Sequence, residues 1–188
     1  DIDPARAGNQ NSRTINPQGH SMNSLTDLSA GVAAMLKNRG ETISVAESST
    51  GGLISAALLA TPGASGFFEG GGVVYSLESR RQLLGVTDSQ VADLSPLSEE
   101  YIAICAVAIR QKLGTTWSIA EIGASGPAGT RYGHPPGICA LAIDGPLQVT
   151  RLVETGSNDR EANMWAFAKA ALGLLGDAMQ KLVTSDLG

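Results

Sequence analysis

Three adjacent hydroxyl side chains, Ser48, Ser49 and Thr50, follow an acid, Glu47, and precede two glycines, Gly51 and Gly52. A hydroxyl becomes a nucleophile when a neighbouring group removes its proton. The residues before this cluster, Thr42-Ile43-Ser44-Val45-Ala46, are of β type, and an apolar run from Leu53 to Ala60 follows it. Strand, tight loop and helix in that order bring backbone N–H groups and a helix N-terminus to one spot, which favours an anion or a developing oxyanion. The competing role is a plain helix cap, in which Ser or Thr accepts from first-turn N–H groups. Two well-known sites are excluded by spacing: there is no Gly-x-x-x-x-Gly-Lys-Ser/Thr and no Gly-x-Ser-x-Gly. A Ser-His-Asp triad would have to recruit His134, which lies between Gly133 and two prolines.

Tyr75 and Arg80 are further candidates. Gly70 to Ser76 reads as a strand that Tyr75 nearly ends, so its hydroxyl can reach the same pocket. Arg80 follows about one helical turn later, placed to bind an anion or to be a solvated helix charge. A second loop, Gly123 to Pro136, is rich in Gly and Pro and also follows an expected strand. Ligands gather at the carboxyl ends of strands in α/β folds, so the loops at 47–52 and 123–136 are expected to wall one pocket.

The elements that must hold these loops follow from periodicity. A helix is expected from Leu25 to Arg39, capped by Ser24 and stopped by Gly40, with Leu25, Leu28, Val32 and Met35/Leu36 on one face. A strand at 42–46, a helix after Gly52 broken at Pro62-Gly63, a strand from Gly70 to Ser76 and a short helix from Leu77 to Leu84 come next. Ser98-Glu99-Glu100 opens a helix with the stripe Ile102, Cys105/Ala106, Ile109 and Leu113. Strands at 117–122, 138–143 and 147–153 follow, the last two joined by the hairpin signal Asp144-Gly145-Pro146. The final helix, Asp159 to Val183, carries Trp165, Ala168, Leu172, Leu175, Met179 and Leu182 at helical spacing. Early alternation of strand and helix, then a hairpin and a long helix, predicts a layered α/β/α single domain with a mixed sheet.

Composition bounds the partners. A net charge of −5 without any basic run argues against nucleic acid. No stretch is long and apolar enough to span a bilayer, and a cytoplasmic protein is expected. Cys105 and Cys139 both fall in apolar segments and read as buried free thiols of a reducing compartment. His20 and His134 are far apart, with no Cys/His/carboxylate cluster at ligand spacing, so no metal or other cofactor is expected. Asp1 to Ser21 is polar and aperiodic and resembles an expression-vector leader before a start at Met22, leaving 22–188 as the domain.

Ala46-Glu47-Ser48-Ser49-Thr50-Gly51-Gly52, Pro62-Gly63-Ala64-Ser65, Phe68-Glu69-Gly70-Gly71, Val74-Tyr75-Ser76, Leu84-Gly85-Val86 and Gly123-Ala124-Ser125-Gly126-Pro127 occur in one order. Together they resemble the CinA C-terminal domain family over about Leu25 to Leu182. The resemblance implies an α/β domain and metal-free hydrolysis of nicotinamide mononucleotide to nicotinate mononucleotide and ammonia. It places the nucleophile on Ser48 and the family's tyrosine on Tyr75. It implies ligand contacts from Glu47, Ser49, Thr50, Gly51, Gly52, Gly123, Ser125, Gly126 and Arg160. The chain departs from the pattern in three places. Arg80 stands where the family has a lysine that helps activate the serine, and arginine stays charged in proteins. The second loop departs by reading Gly123-Ala124-Ser125-Gly126-Pro127-Ala128-Gly129-Thr130, but its glycines remain and backbone approach to a ligand stays possible. Met164 stands at the second of two arginines that the family carries four residues apart, Arg160 matching the first. The alternative expectation is therefore a catalytically weak or inactive relative that binds a nucleotide or phosphate ligand. A third is an interaction module, since in longer members this domain follows a molybdopterin-binding-like domain. A homodimer is the expected assembly.

Overall fold

The computed structural model describes residues 24–185; the expected leader, residues 1–21, lies outside them. Helix α1 (Leu25–Arg39) starts where Ser24 Oγ accepts from the Asp27 amide and stops at Gly40, whose φ of 61° is left-handed. Strand β1 (Ile43–Glu47), helix α2 (Leu53–Leu59) and strand β2 (Phe68–Val73) follow. A short α3 (Leu77–Ser79) runs into a π turn, Arg80–Leu84, and α4 (Asp88–Val91) into α5 (Glu99–Leu113). Strands β3 (Trp117–Ala124), β4 (Ile138–Asp144) and β5 (Val149–Glu154) precede the long α6 (Arg160–Ser185).

The strands form one sheet in the order β2-β1-β3-β4-β5. β1 runs parallel to both its neighbours, whereas β3, β4 and β5 are antiparallel. This is the expected mixed sheet. Alternation along each central strand feeds two cores. Val45, Ile119 and Leu141 join α1, α2 and α6, with Phe167, Leu172 and Leu175. Ala46, Ala120, Ala140 and Ala142 face α5, with Tyr101, Ile102, Cys105 and Ala106. The alanines leave room for a helix to lie against the sheet, which is how a chain poor in aromatics still packs densely.

Several boundaries differ from expectation. The second strand ends at Val73, so Tyr75 lies in the turn beyond it. The parallel register decides this: Val73 pairs with Glu47, the last residue of β1, and only the Val74 amide still reaches it, at 2.7 Å from Glu47 O. Gly71 is required in β2, because a Cβ there would lie 2.9 Å from Val45 O. The β4–β5 connection is longer than the three-residue signal and spans residues 145–148. Helix α6 buries a broader face than the spacing implied: Phe167, Ala171, Leu174 and Ala178 are interior, while Trp165 is only half-buried. On α5, Tyr101 is interior and Leu113 is exposed at the helix end.

Asn163 ties α6 to the loop after β3. Its Nδ2 donates to Ser125 O at 2.7 Å and Ser157 O at 2.9 Å, and its Oδ1 accepts from Thr155 Oγ1. Asn163→Ala leaves these buried groups without partners and is expected to lower stability by about 1–3 kcal/mol, read from urea denaturation.

Candidate active site

The turn after β1 is clamped from two sides by buried carboxylates. Glu47, fully buried at the end of β1, turns back over the start of α2. Its Oε2 accepts from the Gly52 and Ile54 amides, both at 3.0 Å, and its Oε1 from the Ser55 amide at 2.8 Å and Ser55 Oγ at 2.6 Å. Glu47, not Ser or Thr, therefore caps α2, and its charge meets the positive end of the helix. Glu121, near the middle of β3, closes the turn from the other side. Its Oε2 accepts from the Ser48 amide at 3.0 Å and the Thr50 amide at 2.9 Å; its Oε1 accepts from Ser49 Oγ and, at 3.6 Å, from Cys139 Sγ. Thr50 Oγ1 lies 2.8 Å from Glu47 Oε2 and 2.7 Å from Glu121 Oε2, and its single proton serves one of them at a time.

These bonds give the residues expected as ligand contacts a part in holding the turn. The amides of Ser48, Thr50 and Gly52 already have acceptors, so they do not wait for an oxyanion or a phosphate. Glu47, Ser49, Thr50, Gly51 and Gly52 do not line the cavity described next. Their donors and acceptors shape the turn itself. Gly51 instead approaches α6, where a Cβ would lie 3.2 Å from Met164 Cε, so residue 164 borders the turn.

Ser48 opens on a cavity of about 610 Å³. Tyr75, Arg80, Leu97, Ile122, Gly123 and the stretch Thr130-Arg131-Tyr132 also line it. Among the described residues Ser48 Oγ has no hydrogen-bond partner, whereas the hydroxyls of Ser49 and Thr50 are both taken. Gly123 must be glycine: a Cβ would lie 2.7 Å from Ser49 Oγ. Arg80 is only 7% exposed, which excludes the solvated-charge alternative. Its Nε donates to Val74 O at 3.0 Å, Nη2 to Tyr75 O at 3.1 Å and Nη1 to Tyr101 Oη at 3.1 Å, with the guanidinium 5.5 Å from the Tyr101 ring centre. No carboxylate lies within ion-pair distance of it among the described residues. The π turn that begins at Arg80 aims the side chain inward, a frequent use of such turns.

The second loop lines the cavity through other residues than those expected. Gly123 reaches the cavity; Ser125, Gly126 and Arg160 do not. Ser125 Oγ donates to Ser49 O at 3.3 Å and Arg160 Nη1 to Gly126 O at 2.7 Å, so they brace the loop against the turn and α6. His134 Nε2 meets Ser95 Oγ at 3.3 Å and lies outside the cavity, which removes the triad. No group of His, Cys, Asp and Glu among the described residues is arranged to hold a metal ion. No described helix is long and apolar enough to cross a membrane.

Glu121, Tyr101, Arg131 and Tyr132 were not singled out by sequence. Glu121 had a signal, an acid inside the apolar strand Trp117-Ser118-Ile119-Ala120-Glu121-Ile122; the others had none. Glu121→Gln turns an N–H₂ group toward existing donors and is expected to cost about 2 kcal/mol or more, seen as a lowered urea midpoint. Burial pushes the Cys105 thiol up to about 11 from an ordinary 9.0, against the lowering effect of the Arg80 charge. The folded form then keeps the proton where the unfolded chain has lost it. Stability contributed this way is complete below pH 9.0 and declines as pH rises toward about 11. The slope is at most about 1.4 kcal/mol per pH unit, and Cys105→Ala should remove that share of it in urea denaturation across this range.

The family model for the CinA C-terminal domain matches residues 25–179. A CinA-like protein of Parasynechococcus marenigrum is 44% identical over 119 residues, 63% of this chain and 28% of that protein. One from Gloeobacter violaceus is 36% identical over 151 residues, 79% of this chain and 35% of that protein. The chain thus spans about a third of the length of these curated relatives. Among solved structures, a competence-damaged protein (CinA) superfamily protein from Klebsiella pneumoniae superposes with a TM-score of 0.79 at 29% identity, over 85% of this chain and 99% of that one. A competence/damage-inducible protein from Agrobacterium tumefaciens gives 0.76 at 25% identity, over 83% and 95%. Sequence match and superposition agree, and the chain belongs to the CinA C-terminal domain family.

Proposed function

We propose that the chain is an amidohydrolase that converts nicotinamide mononucleotide to nicotinate mononucleotide and ammonia. The observation that carries this reading is the unbonded Ser48 hydroxyl, on a backbone held by Glu121, in a cavity that it shares with Tyr75 and Arg80. A volume of about 610 Å³ suits a ligand of mononucleotide size. Ser48 Oγ attacks the carboxamide carbon, and the carbonyl oxygen takes up the negative charge. Collapse breaks the C–N bond and releases ammonia, which carries away the serine proton by way of Tyr75. Water then attacks the nicotinoyl ester, the ester C–O bond breaks, and the proton returns to Ser48 Oγ as nicotinate mononucleotide leaves. Arg80 remains a cation throughout and stabilises negative charge beside the serine.

A second reading, binding of the nucleotide without turnover, is favoured by one observation. The residues lining the cavity include no Lys or His, and their acid, Glu78, is engaged by Arg81 and by Gln82 Nε2 at 2.8 Å. Ser48 thus has no neighbouring base among the described residues.

Ammonia release from nicotinamide mononucleotide distinguishes the two. Ser48→Ala is expected to lower it by about 10³-fold or more while mononucleotide affinity stays within a few-fold. Arg80→Lys, which cannot reproduce the three-way anchoring of the guanidinium, is expected to weaken binding. A wild type without turnover that gains it in Arg80→Lys would establish the binding reading instead. Full activity in Ser48→Ala would remove the serine from the mechanism.

A further inference from the structure

We propose that Arg131 is a phosphate-binding residue of the Ser48 cavity, so that the ligand is held by two guanidinium groups, Arg80 beside the serine and Arg131 at the mouth. This rests on the reading of the cavity as a mononucleotide site.

The arginines of the described chain sort themselves by partner. Arg39, Arg81, Arg110 and Arg151 each pair with a carboxylate. Arg160 is engaged by the Gly126 carbonyl. Arg80 and Arg131 pair with no carboxylate, and both line the one cavity that contains Ser48. In a chain with a net charge of −5, two unpaired cations in one cavity leave a positive site that an anion completes.

The two guanidinium groups differ in what they can do. Arg80 is buried and fixed by Val74 O, Tyr75 O and Tyr101 Oη. It stays at the reacting end. Arg131 is exposed and rests on its neighbour, 4.8 Å from the Tyr132 ring centre, with Nη2 donating to Tyr132 Oη at 2.5 Å. The ring contact and the hydrogen bond hold the guanidinium against Tyr132. Its Nε and Nη1 donors have no partner among the described residues. A preoriented fork with free donors matches two oxygens of a phosphate better than it matches a neutral group. In a mononucleotide the ribose separates the phosphate from the ring amide. A cation at the mouth and another beside Ser48 fit that separation, and one arginine could not serve both ends.

Binding of nicotinate mononucleotide and nicotinate riboside, compared by calorimetry on the full chain, isolates the phosphate without turnover. The wild type should prefer the mononucleotide by about 10- to 100-fold. Arg131→Ala should reduce that preference to near unity, Arg131→Lys should retain part of it, and Arg151→Ala, a paired arginine outside the cavity, should keep it whole. An equal preference in wild type and Arg131→Ala overturns the proposal and leaves the proposed function standing. A wild type that binds neither compound overturns the proposed function, and inorganic phosphate then judges Arg131 alone. A shift of its Nε–Hε NMR signal during the phosphate titration supports the site, and a signal that stays unmoved removes it.

Discussion

The turn that carries Ser48 keeps its shape because two buried carboxylates supply the acceptors its amides and hydroxyls need. Glu47 accepts from the first turn of α2, and Glu121 accepts from Ser48, Ser49 and Thr50. Neither has a cationic partner among the described residues. Their charges are met by oriented N–H and O–H dipoles, which are strong acceptor partners when withdrawn from water. A buried carboxylate deprived of these donors is costly, so turn and acids enforce each other.

That constraint leads outward to the site. With the neighbouring hydroxyls engaged by Glu121 and Glu47, Ser48 is the one hydroxyl of the three left open to the cavity. The sheet sets the stage for this. β1 ends at Glu47 while β3 continues to Ala124, so Glu121 lies one residue beyond the last β1–β3 pair, Ala46 with Ala120, and can turn toward the loop. The π turn brings Arg80 into the same cavity lining, and α5 supplies Tyr101 to hold it. The cavity therefore joins a rigid floor, built on strands and buried acids, to a cationic wall.

Substituting arginine where a lysine would be expected changes the kind of chemistry available. A lysine amine can lose its proton when desolvated, whereas a guanidinium keeps its charge and uses its planar donors for anchoring and for anions. The three-way anchoring of Arg80 exploits that geometry, and a lysine could not make it. The cavity lining offers Ser48 no lysine or histidine, and Arg80 brings it charge and fixed donors alone.

The sequence by itself determined the elements and the class of fold, and it pointed to a candidate site. Helical periodicity, the caps at Ser24 and Ser98 and the stop at Gly40 are local signals, and α1 and α5 realise them. The cluster Glu47 to Gly52 marked the site because strand, polar turn and helix succeed one another directly. Tertiary structure decided what those residues do. Glu47 turned from ligand contact to helix cap because the end of β1 aims it at α2, and Glu121 entered the site from 71 to 73 residues away because β3 lies beside β1. Arg131, which no sequence signal marked, reaches the cavity because the second loop folds over it, whereas Arg160 at the start of α6 is tied to Gly126. Periodicity reports which face of an element is buried; it holds no information about which distant donor a buried acid will meet, because that depends on strand order and register.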